Sequence, residues 1–381
     1  MNAINSVSPT VTPSDSNCYN PKADSIPLRQ IYFYLTAGCN LACRHCWLSP
    51  KLQDENHSFS MLPLELFRSI LNQGKELGLN AVKLTGGEPL MHPHIQRLIN
   101  IVEEKELSLS IESNGVLCTP QLAQAIAQIK NHFIAISLDS ADAKTHEEIR
   151  GIKGCFMKAV NGIVNLIHAG VRPQIIMTVM RRNVEHIPAM IRLAEYLGAN
   201  SLKFNVVQPT GRGEHLREKD EALSVEEILQ IGDWITNIES KKAKVKLYFS
   251  VPPAFRNLSK MFGNHADGCS RCGIYNILGV LADGKYALCG IGSQVPELIF
   301  GDAGKDSLSE IWKNNPILNE IRTNLPRKFE GVCGKCHMKL VCFGSCIAQN
   351  YYRTGSLFKS YWFCEEAYRK GLFPTTRMTT E

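Results

Sequence analysis

Residues 31–46 read IYFYLTAGCNLACRHC, and this stretch decides the fold. Its first five residues are aromatic or branched apolar residues, which predict a β-strand over Ile31–Leu35. Three thiols, Cys39, Cys43 and Cys46, follow within a loop of eight residues. Three thiolates at this spacing can hold three irons of a cubane cluster and leave the fourth iron without a protein ligand. A zinc loop is the alternative, but zinc usually takes four ligands in a closed site.

Beyond this loop, the chain alternates short apolar runs with amphipathic segments as far as Val207. The apolar runs predict six strands, Ile31–Leu35, Ala81–Leu84, Leu107–Ile111, Phe133–Leu138, Gln174–Val179 and Leu202–Val207. The amphipathic segments predict helices that include Leu64–Leu77, His94–Glu104, Gln121–Lys130, Met157–Ala169 and Val184–Tyr196. Six strand–helix alternations indicate an α/β fold, a parallel sheet curled into a partial (β/α)6 barrel. Chemistry in such barrels lies at the carboxyl ends of the strands.

The 381 residues are enough for two domains. From Cys269 onward, cysteine, glycine and aromatic residues become more frequent, which indicates a small domain organised by metal. The clearest helix before that point is Val225–Ile238. The predicted organisation is a flexible N-terminal tail over 1–28, the partial barrel over 29–235, a bridging segment over 236–268, the cysteine-rich domain over 269–364 and a C-terminal tail over 365–381.

Charge and hydropathy exclude several classes of partner. The net charge of +6 includes no long basic block; the densest cluster, Lys241–Lys246, is typical of a solvated approach to a strand. No apolar run approaches the roughly 18–20 residues that span a bilayer. The N-terminus lacks the basic start and apolar stretch of a secretory signal. We therefore expect a cytoplasmic protein that binds neither nucleic acid nor membrane.

The fourteen cysteines point to metal binding. A cytoplasmic chain keeps its thiols reduced, so disulfides do not explain so many cysteines. Eleven of them fall into three spaced groups, which indicates metal ligation. The other three, Cys18, Cys118 and Cys155, are interpreted as structural or incidental thiols.

The first cysteine loop resembles that of the radical S-adenosylmethionine (SAM) superfamily, whose C-x3-C-x2-C segment follows the first barrel strand. The resemblance implies that Cys39, Cys43 and Cys46 hold a [4Fe–4S] cluster. It also implies reductive cleavage of S-adenosylmethionine (AdoMet) to a 5′-deoxyadenosyl radical. His45 stands where many members have Tyr or Phe, which leaves the packing over the adenine of AdoMet open.

Further motifs at the strand ends resemble the AdoMet-binding segments of the same superfamily. Thr85-Gly86-Gly87-Glu88-Pro89 follows the second strand, and Glu112-Ser113-Asn114-Gly115 follows the third. Taken alone, Ser137 and Arg150 are ordinary capping or surface residues. The resemblance implies a cofactor-binding set of Gly86, Gly87, Glu88, Asn114, Ser137 and Arg150.

The C-terminal cysteines resemble a full SPASM domain, preceded by one extra thiol, Cys269. By that resemblance, one auxiliary [4Fe–4S] cluster takes Cys269, Cys272, Cys289 and Cys346, and a second takes Cys333, Cys336, Cys342 and Cys364. The expected cofactors are thus AdoMet and three [4Fe–4S] clusters. Asp283-Gly284 predicts a hairpin turn that returns Cys289 towards Cys272. A pair of zinc-ribbon-like sites is the alternative.

Proteins that combine these two domains usually modify peptides or proteins, so the resemblance implies hydrogen abstraction from a ribosomally made precursor peptide. Residues 344–352 and 371–374 resemble enzymes of SynChlorMet-type cassettes and related cyanobacterial peptide maturases. The product is expected to be a cross-link or an excised backbone fragment; the general base is not identified. Arg212, after the last predicted strand, is interpreted as a loop arginine or a substrate contact.

Two rival functions stay open. Sulfatase maturases place an aspartate after the cysteine that matches Cys289, but this chain has Gly290, which disfavours that reaction. A non-catalytic electron carrier explains the cysteines but not Gly86–Glu88, Ser137 or Arg150.

Two kinds of protein partner are also expected. About thirty residues precede the first strand, too few for a fused peptide-recognition domain. We therefore expect a separate leader-recognition protein, and an electron donor such as flavodoxin or ferredoxin.

Overall fold

The computed structural model describes residues 26–53, 58–262 and 272–379. Its main feature is a ten-stranded sheet, beside a small two-stranded one. The strands are β1 (Gln30–Thr36), β2 (Gly38–Cys39), β3 (Lys51–Leu52), β4 (Ala81–Gly86), β5 (Ser108–Ser113), β6 (His132–Ser137), β7 (Gln174–Val179), β8 (Ser201–Val206), β9 (Lys246–Phe249), β10 (Ile277–Val280), β11 (Lys285–Ala287) and β12 (Ile299–Asp302).

The large sheet runs in the order β12-β11-β10-β1-β4-β5-β6-β7-β8-β9. Its eight strands from β10 to β9 are parallel, and β11 and β12 extend it antiparallel. All six strands expected from the sequence are present, each within two residues of its predicted ends. This confirms the expected α/β fold with a large parallel sheet.

Helices cover one face of the sheet because each strand buries alternate residues. On β1, Ile31, Phe33 and Leu35 are fully buried in the main core. The helices are α1 (Leu64–Glu76), α2 (Ile95–Glu104), α3 (Pro120–Gln128), α4 (Ala143–Arg150), α5 (Cys155–His168), α6 (Ile187–Leu197), α7 (Arg212–Glu218), α8 (Val225–Asn237), α9 (Leu258–Phe262), α10 (Leu308–Asn314), α11 (Pro316–Asn324), α12 (Gly331–Lys335), α13 (Lys339–Cys342), α14 (Ile347–Thr354) and α15 (Trp362–Arg369). In the described part of the chain, no helix is long and apolar enough to cross a membrane.

The other face of the sheet encloses a space that we call the barrel lumen, lined by Tyr32, Lys83, Glu112 and Lys203. In a flat sheet, β1 and β8 would lie about 24 Å apart, at roughly 4.8 Å per strand. The loops that follow them nevertheless meet, because the Arg212 amide donates to Cys46 O at 3.0 Å. Strands that are distant in the sheet order therefore approach one another, as in a curled sheet.

The segment 236–268, expected as a bridge, is in part a barrel strand. Lys246–Phe249 forms β9, which pairs in parallel with β8 at the edge of the sheet. The lysine-rich run was interpreted as the approach to a strand, but four residues are too short to show a period, so this strand was placed in the bridge rather than in the sheet. Phe255, from the same segment, packs edge-on against Phe363 and Phe373 in the C-terminal part of the chain.

The C-terminal residues 365–379, expected as a tail, are folded onto the cysteine-rich domain. Helix α15 runs through Cys364 to Arg369, and Ala367 and Phe373 are buried. Met378 then forms a β-bridge with Cys336. The expected N-terminal tail, 1–28, lies almost wholly outside the described residues, although Ile26 and Leu28 are buried.

The predicted hairpin turn at Asp283-Gly284 is present between β10 and β11. Gly284 has a φ of +82°, which a side chain would disfavour. Because β10 also pairs with β1, the cysteine-rich domain is joined to the barrel through one continuous sheet.

Candidate iron–sulfur and cofactor site

The loop that carries the first three cysteines is fixed by backbone hydrogen bonds. The Ala42 amide donates to Arg150 O and the Arg44 amide to Ile149 O, both at 3.0 Å, which ties the loop to the end of α4. The amide of Arg212, at the start of α7, donates to Cys46 O at 3.0 Å. Segments far apart in sequence thus hold the three thiols at the carboxyl end of β1.

Two thiols of this loop, Cys39 and Cys43, lie in surroundings that disfavour their charged form. Cys39 and Cys43 are buried, and Cys46 is half-buried. Burial raises the pKa of Cys39 to about 12, helped by the charge of Glu88. Burial also raises the pKa of Cys43, against the opposing effect of Arg150, whose Nη1 lies 3.5 Å from Cys43 Sγ. Cys155, expected as an incidental thiol, is buried in the same cluster of side chains.

The Gly86–Glu88 turn lies directly against the cysteine loop. The Glu88 amide donates to Gly38 O at 3.0 Å, and the Gly87 amide donates to Thr36 O at 2.9 Å. A Cβ on Gly87 would lie 1.9 Å from Gly38 O, so only glycine fits there. The backbone of this turn therefore approaches the residue that precedes Cys39 as closely as contact allows.

The side chain of Glu88 ties strand ends together. Its carboxylate accepts hydrogen bonds from Ser113 Oγ and the Asn114 amide, each at 2.8 Å, and from the Leu90 amide at 3.0 Å. The residue is 1% exposed. Because these donors occupy its oxygens, a cofactor contact by this motif falls to the backbone rather than to the carboxylate.

Two more predicted residues lie at neighbouring strand ends. Asn114 is buried, and its Nδ2 donates to Asn40 Oδ1 at 2.7 Å, with Cys39 Sγ at 3.9 Å. Ser137, the last residue of β6, is half-buried. Both lie on the edge of the sheet at which the cysteine loop begins.

Arg150 is buried and paired with Asp139, a residue that the sequence did not single out. Arg150 Nε lies 2.7 Å from Asp139 Oδ2, and the other oxygen, Oδ1, accepts from the Thr178 amide at 2.9 Å. Burial opposes ionisation of Asp139, but Arg150 and then His45 lower its pKa below the usual value. The available signal was its place, two residues beyond β6 in Ser137-Leu138-Asp139.

His45 and Arg212 extend this group towards the loop. His45 Nε2 lies 3.8 Å from Asp139 Oδ2, and burial lowers the pKa of His45 to about 4. The side-chain Nε and Nη2 of Arg212 are buried, with no hydrogen-bond partner among the described residues. The charge of Arg212 also lowers the pKa of His45, which places its guanidinium close by.

The structure brings the C-terminal cysteines together in two groups. In the first group, burial raises the pKa of Cys272, and Cys346 and Cys289 add to the shift, as close thiols would. The second group lines a common pocket. Its members are Cys333, Cys336, Cys342 and Cys364. Cys269 lies outside the described residues.

The donor set suits iron–sulfur clusters. Every predicted metal ligand in the described residues is a cysteine, and cysteine thiolates are the usual ligands of such clusters. Across residues 26–53, 58–262 and 272–379, no three His, Cys, Asp or Glu side chains converge closely enough for a single metal ion.

Comparison with known proteins identifies two domains. Residues 33–194 match the radical SAM superfamily, and residues 269–337 match SPASM, an iron–sulfur cluster-binding domain. The chain is an enzyme with a radical SAM domain and a SPASM domain. These domains imply AdoMet and iron–sulfur clusters as cofactors.

Most of this chain is similar to proteins that are named for different activities. The AdoMet-dependent heme synthase of Methanosarcina barkeri is 29% identical, with 90% of this chain and 97% of the relative aligned. The mycofactocin maturase MftC of Mycobacterium tuberculosis is 26% identical, over 84% of this chain and 78% of the relative.

Solved structures share the fold of this radical SAM enzyme. SuiB of Streptococcus suis, bound to S-adenosylmethionine, superposes with a TM-score of 0.69 at 19% identity, covering 90% of this chain and 78% of SuiB. The anSMEcpe enzyme with bound AdoMet and a peptide superposes with a TM-score of 0.67 at 17% identity, over 90% of this chain and 98% of that one.

Proposed function

We propose that this radical SAM enzyme abstracts hydrogen from a ribosomally made precursor peptide and so modifies it after translation. The observation that carries the radical step is the cysteine loop held at the end of β1 against the Gly86–Glu88 turn. The peptide substrate is supported by relatives, since a mycofactocin maturase and a subtilosin biosynthesis protein are similar to most of this chain. The product is a cross-link or an excised backbone fragment.

Cys39, Cys43 and Cys46 are the proposed ligands of the cluster that binds AdoMet. When bound, these cofactors supply a 5′-deoxyadenosyl radical by reductive cleavage of AdoMet. Glu88 fixes the Gly86–Glu88 turn at the strand ends through the three hydrogen bonds that its carboxylate accepts. The proposed AdoMet contacts are Gly86, Gly87, Glu88 through its backbone, Asn114, Ser137 and Arg150.

Arg150 supplies positive charge where AdoMet binds. Its guanidinium is buried between Asp139 and Cys43, so its charge acts at short range in a site that excludes water. Asp139 orients the guanidinium and keeps it from being an uncompensated buried charge. We assign Asp139 as a positioning residue rather than as a contact of the cofactor.

We also propose two auxiliary clusters, which with the first make three [4Fe–4S] clusters. Cys269, Cys272, Cys289 and Cys346 are the proposed ligands of one, and Cys333, Cys336, Cys342 and Cys364 of the other. The close approach of Cys272, Cys289 and Cys346, and the shared cavity of the second group, support this division.

The partners follow from this chemistry. Each reductive cleavage consumes one electron, so we propose a donor such as flavodoxin or ferredoxin. A separate small protein is proposed to recognise the leader of the precursor peptide, and the whole reaction is assigned to the cytoplasm.

A tetrapyrrole substrate is the second candidate. Three heme synthases are 27–29% identical to this chain over 85–90% of its length, somewhat closer than the peptide maturases. The radical step and the cofactors would be the same in both cases. The two candidates differ in what occupies the barrel lumen.

Sulfatase maturation is disfavoured by the packing around Gly290. An aspartate after the cysteine that matches Cys289 is the feature that such enzymes are expected to carry. In this chain a Cβ on Gly290 would lie 2.3 Å from the ring of Tyr34, which is itself buried. A side chain at this position would require Tyr34 to move out of the wall of the lumen.

Mass spectrometry of the substrate tests the proposal. The reconstituted enzyme, AdoMet and a reductant are incubated with candidate precursor peptides, taken from any short reading frames found beside the gene, and in parallel with a porphyrin. The proposal predicts a mass change in the peptide, with loss of two hydrogens for a cross-link or a larger loss for excision. A change in the porphyrin alone would establish the tetrapyrrole reaction instead.

A further inference from the structure

A group of charged side chains faces the barrel lumen, apart from the proposed cluster and AdoMet ligands. Lys83 Nζ on β4 lies 2.6 Å from Glu112 Oε1 on β5. The same ammonium lies 4.8 Å from the ring centroid of Tyr32, the residue paired with Lys83 on β1. Their side chains point away from the helices, because the alternate residues Phe33, Leu84 and Ile111 fill the core on the other face.

The group opens onto free space within the fold. The side chain of Glu112 is 43% exposed and that of Lys83 is 20% exposed, although both lie on inner strands of the sheet. Inner strands whose other face is covered by helices can expose side chains only towards the lumen. These charges therefore line a space that a second molecule can enter.

Lys203 on β8 brings a second positive charge to this space. Leu202 and Phe204, its neighbours on β8, are fully buried in the core, so Lys203 points to the same lumen as Lys83 and Glu112. Burial lowers the pKa of Lys203, and the charges of Glu112 and Lys83 also act on it. Among the described residues, no carboxylate lies within 4 Å of Lys203 Nζ, whereas Lys83 has Glu112. Two ammonium groups share one carboxylate, which leaves the group with one unit of positive charge.

The charged group lies where a substrate, rather than the cofactor, would bind. Lys83 precedes Gly86 by three residues on β4, about 10 Å along the strand from the proposed AdoMet turn. On the other side, Tyr32 pairs with Gly279 on β10, and a Cβ on Gly279 would lie 2.8 Å from Cys289 Cα. The charged group thus lies between the proposed radical site and the first auxiliary group of thiols.

We propose that Lys203 and Lys83 bind a carboxylate group of the substrate inside the barrel lumen. Lys203 Nζ contacts no carboxylate among the described residues, and burying a cation is costly unless it is closely paired. A substrate carboxylate completes the pairing, while Glu112 holds Lys83 in place. This inference rests on the proposed function only because it requires the substrate to enter the lumen. The carboxylate belongs either to a peptide or to the propionate of a tetrapyrrole.

Equilibrium binding to the cluster-loaded enzyme tests this assignment with two kinds of probe. The first is a set of short synthetic peptides, each with one carboxylate, and matched peptides in which an amide replaces it. The second is protoporphyrin IX and its dimethyl ester. For one of these two kinds of probe, the wild type should bind the member with a free carboxylate about tenfold or more tightly than the matched neutral member.

Substitutions then locate the preference. Lys203→Met should abolish the preference for the acid and leave the affinity for the neutral form unchanged, whereas Lys203→Arg should keep it. Lys158→Met removes an exposed lysine on α5 and serves as the matched control, which should bind like the wild type. Iron content and circular dichroism check that each variant is folded.

The outcomes separate this inference from the peptide proposal. A preference for the porphyrin acid that Lys203→Met abolishes supports carboxylate binding and overturns the peptide substrate. Equal binding of the acid and neutral forms, both for the peptides and for the porphyrins, overturns the carboxylate site. The site is also overturned if the enzyme binds neither the peptides nor the porphyrins. A preference that survives Lys203→Met also overturns it.

Discussion

Asp139 and Arg150 show how much of the site depends on single buried contacts. The sequence directs attention to Arg150, but the structure shows that its guanidinium is held by a carboxylate that is wholly buried. Such a partner cannot be predicted from the sequence, because Asp139 reads as an ordinary residue of a loop after a strand. Only the approach of α4 to the end of β6 makes the pair.

Replacing Asp139 with Asn should destabilise the protein strongly. The change leaves Arg150 buried without a counterion, which should lower the free energy of unfolding by about 3–5 kcal/mol. Chemical denaturation measures the loss. The control is Glu330→Gln, which removes the exposed partner of Lys359 and should cost about 0–1 kcal/mol. Similar costs for the two variants would contradict the role given to Asp139.

Replacing Gly87 with Ala should impair AdoMet binding. The added Cβ would meet Gly38 O at 1.9 Å, so the turn and the start of the cysteine loop must separate. We expect affinity for AdoMet to fall about tenfold or more, since displacements of about 1 Å have effects of this size. Equilibrium dialysis measures it. Gly304→Ala, whose Cβ would be 3.2 Å from Asp302 Oδ1 on the surface, should bind normally; a normal Gly87→Ala enzyme would rule out this account.

At the scale of elements, long periodic segments were predictable and short ones were not. The helix α8 agrees with the prediction within one residue, because its apolar period is clear and a capping box at Ser224 marks its start. The eight-residue helix α4 was missed, since its sequence AKTHEEIR is polar and has little period. Its start is set by Asp142, which accepts from the Thr145 amide at 2.8 Å.

Removing the cap of α8 should have a measurable but local cost. Ser224 Oγ accepts from the Glu227 amide, and the Glu227 side chain accepts from the Ser224 amide. Ser224→Ala should therefore destabilise the fold by about 1 kcal/mol in thermal or chemical unfolding. Ser307 occupies the same position of α10 without a side-chain cap, so Ser307→Ala is the matched control. An equal loss in both variants would show that the capping bonds of Ser224 contribute nothing.

At the scale of the molecule, one sheet joins the radical SAM domain to the cysteine-rich domain. The strand β10 lies beside β1, so the residues before and after the hairpin lie next to the barrel wall. The sequence predicted the hairpin but not this pairing, because nothing local in Ile277–Val280 specifies a distant partner strand. For the same reason, the charges that meet in the lumen, Lys83, Glu112 and Lys203, could not be grouped from the sequence.

Iron analysis tests the division into three clusters. The reconstituted wild type should contain about twelve irons per chain. Cys333→Ser should lose about four of them, because one of four ligands in its group is gone. Cys118→Ser, at a buried thiol outside the three groups, should lose none. A wild type with about four irons and with zinc would show that the auxiliary sites are not iron–sulfur clusters.

The central claim is that Cys39, Cys43 and Cys46 support reductive cleavage of AdoMet. The most direct measurement is 5′-deoxyadenosine formed by the anaerobically reconstituted enzyme with AdoMet and dithionite, compared with a Cys43→Ala variant. The account predicts 5′-deoxyadenosine from the wild type and none above background from the variant. No product from an iron-loaded wild type, or undiminished product from the variant, would contradict it.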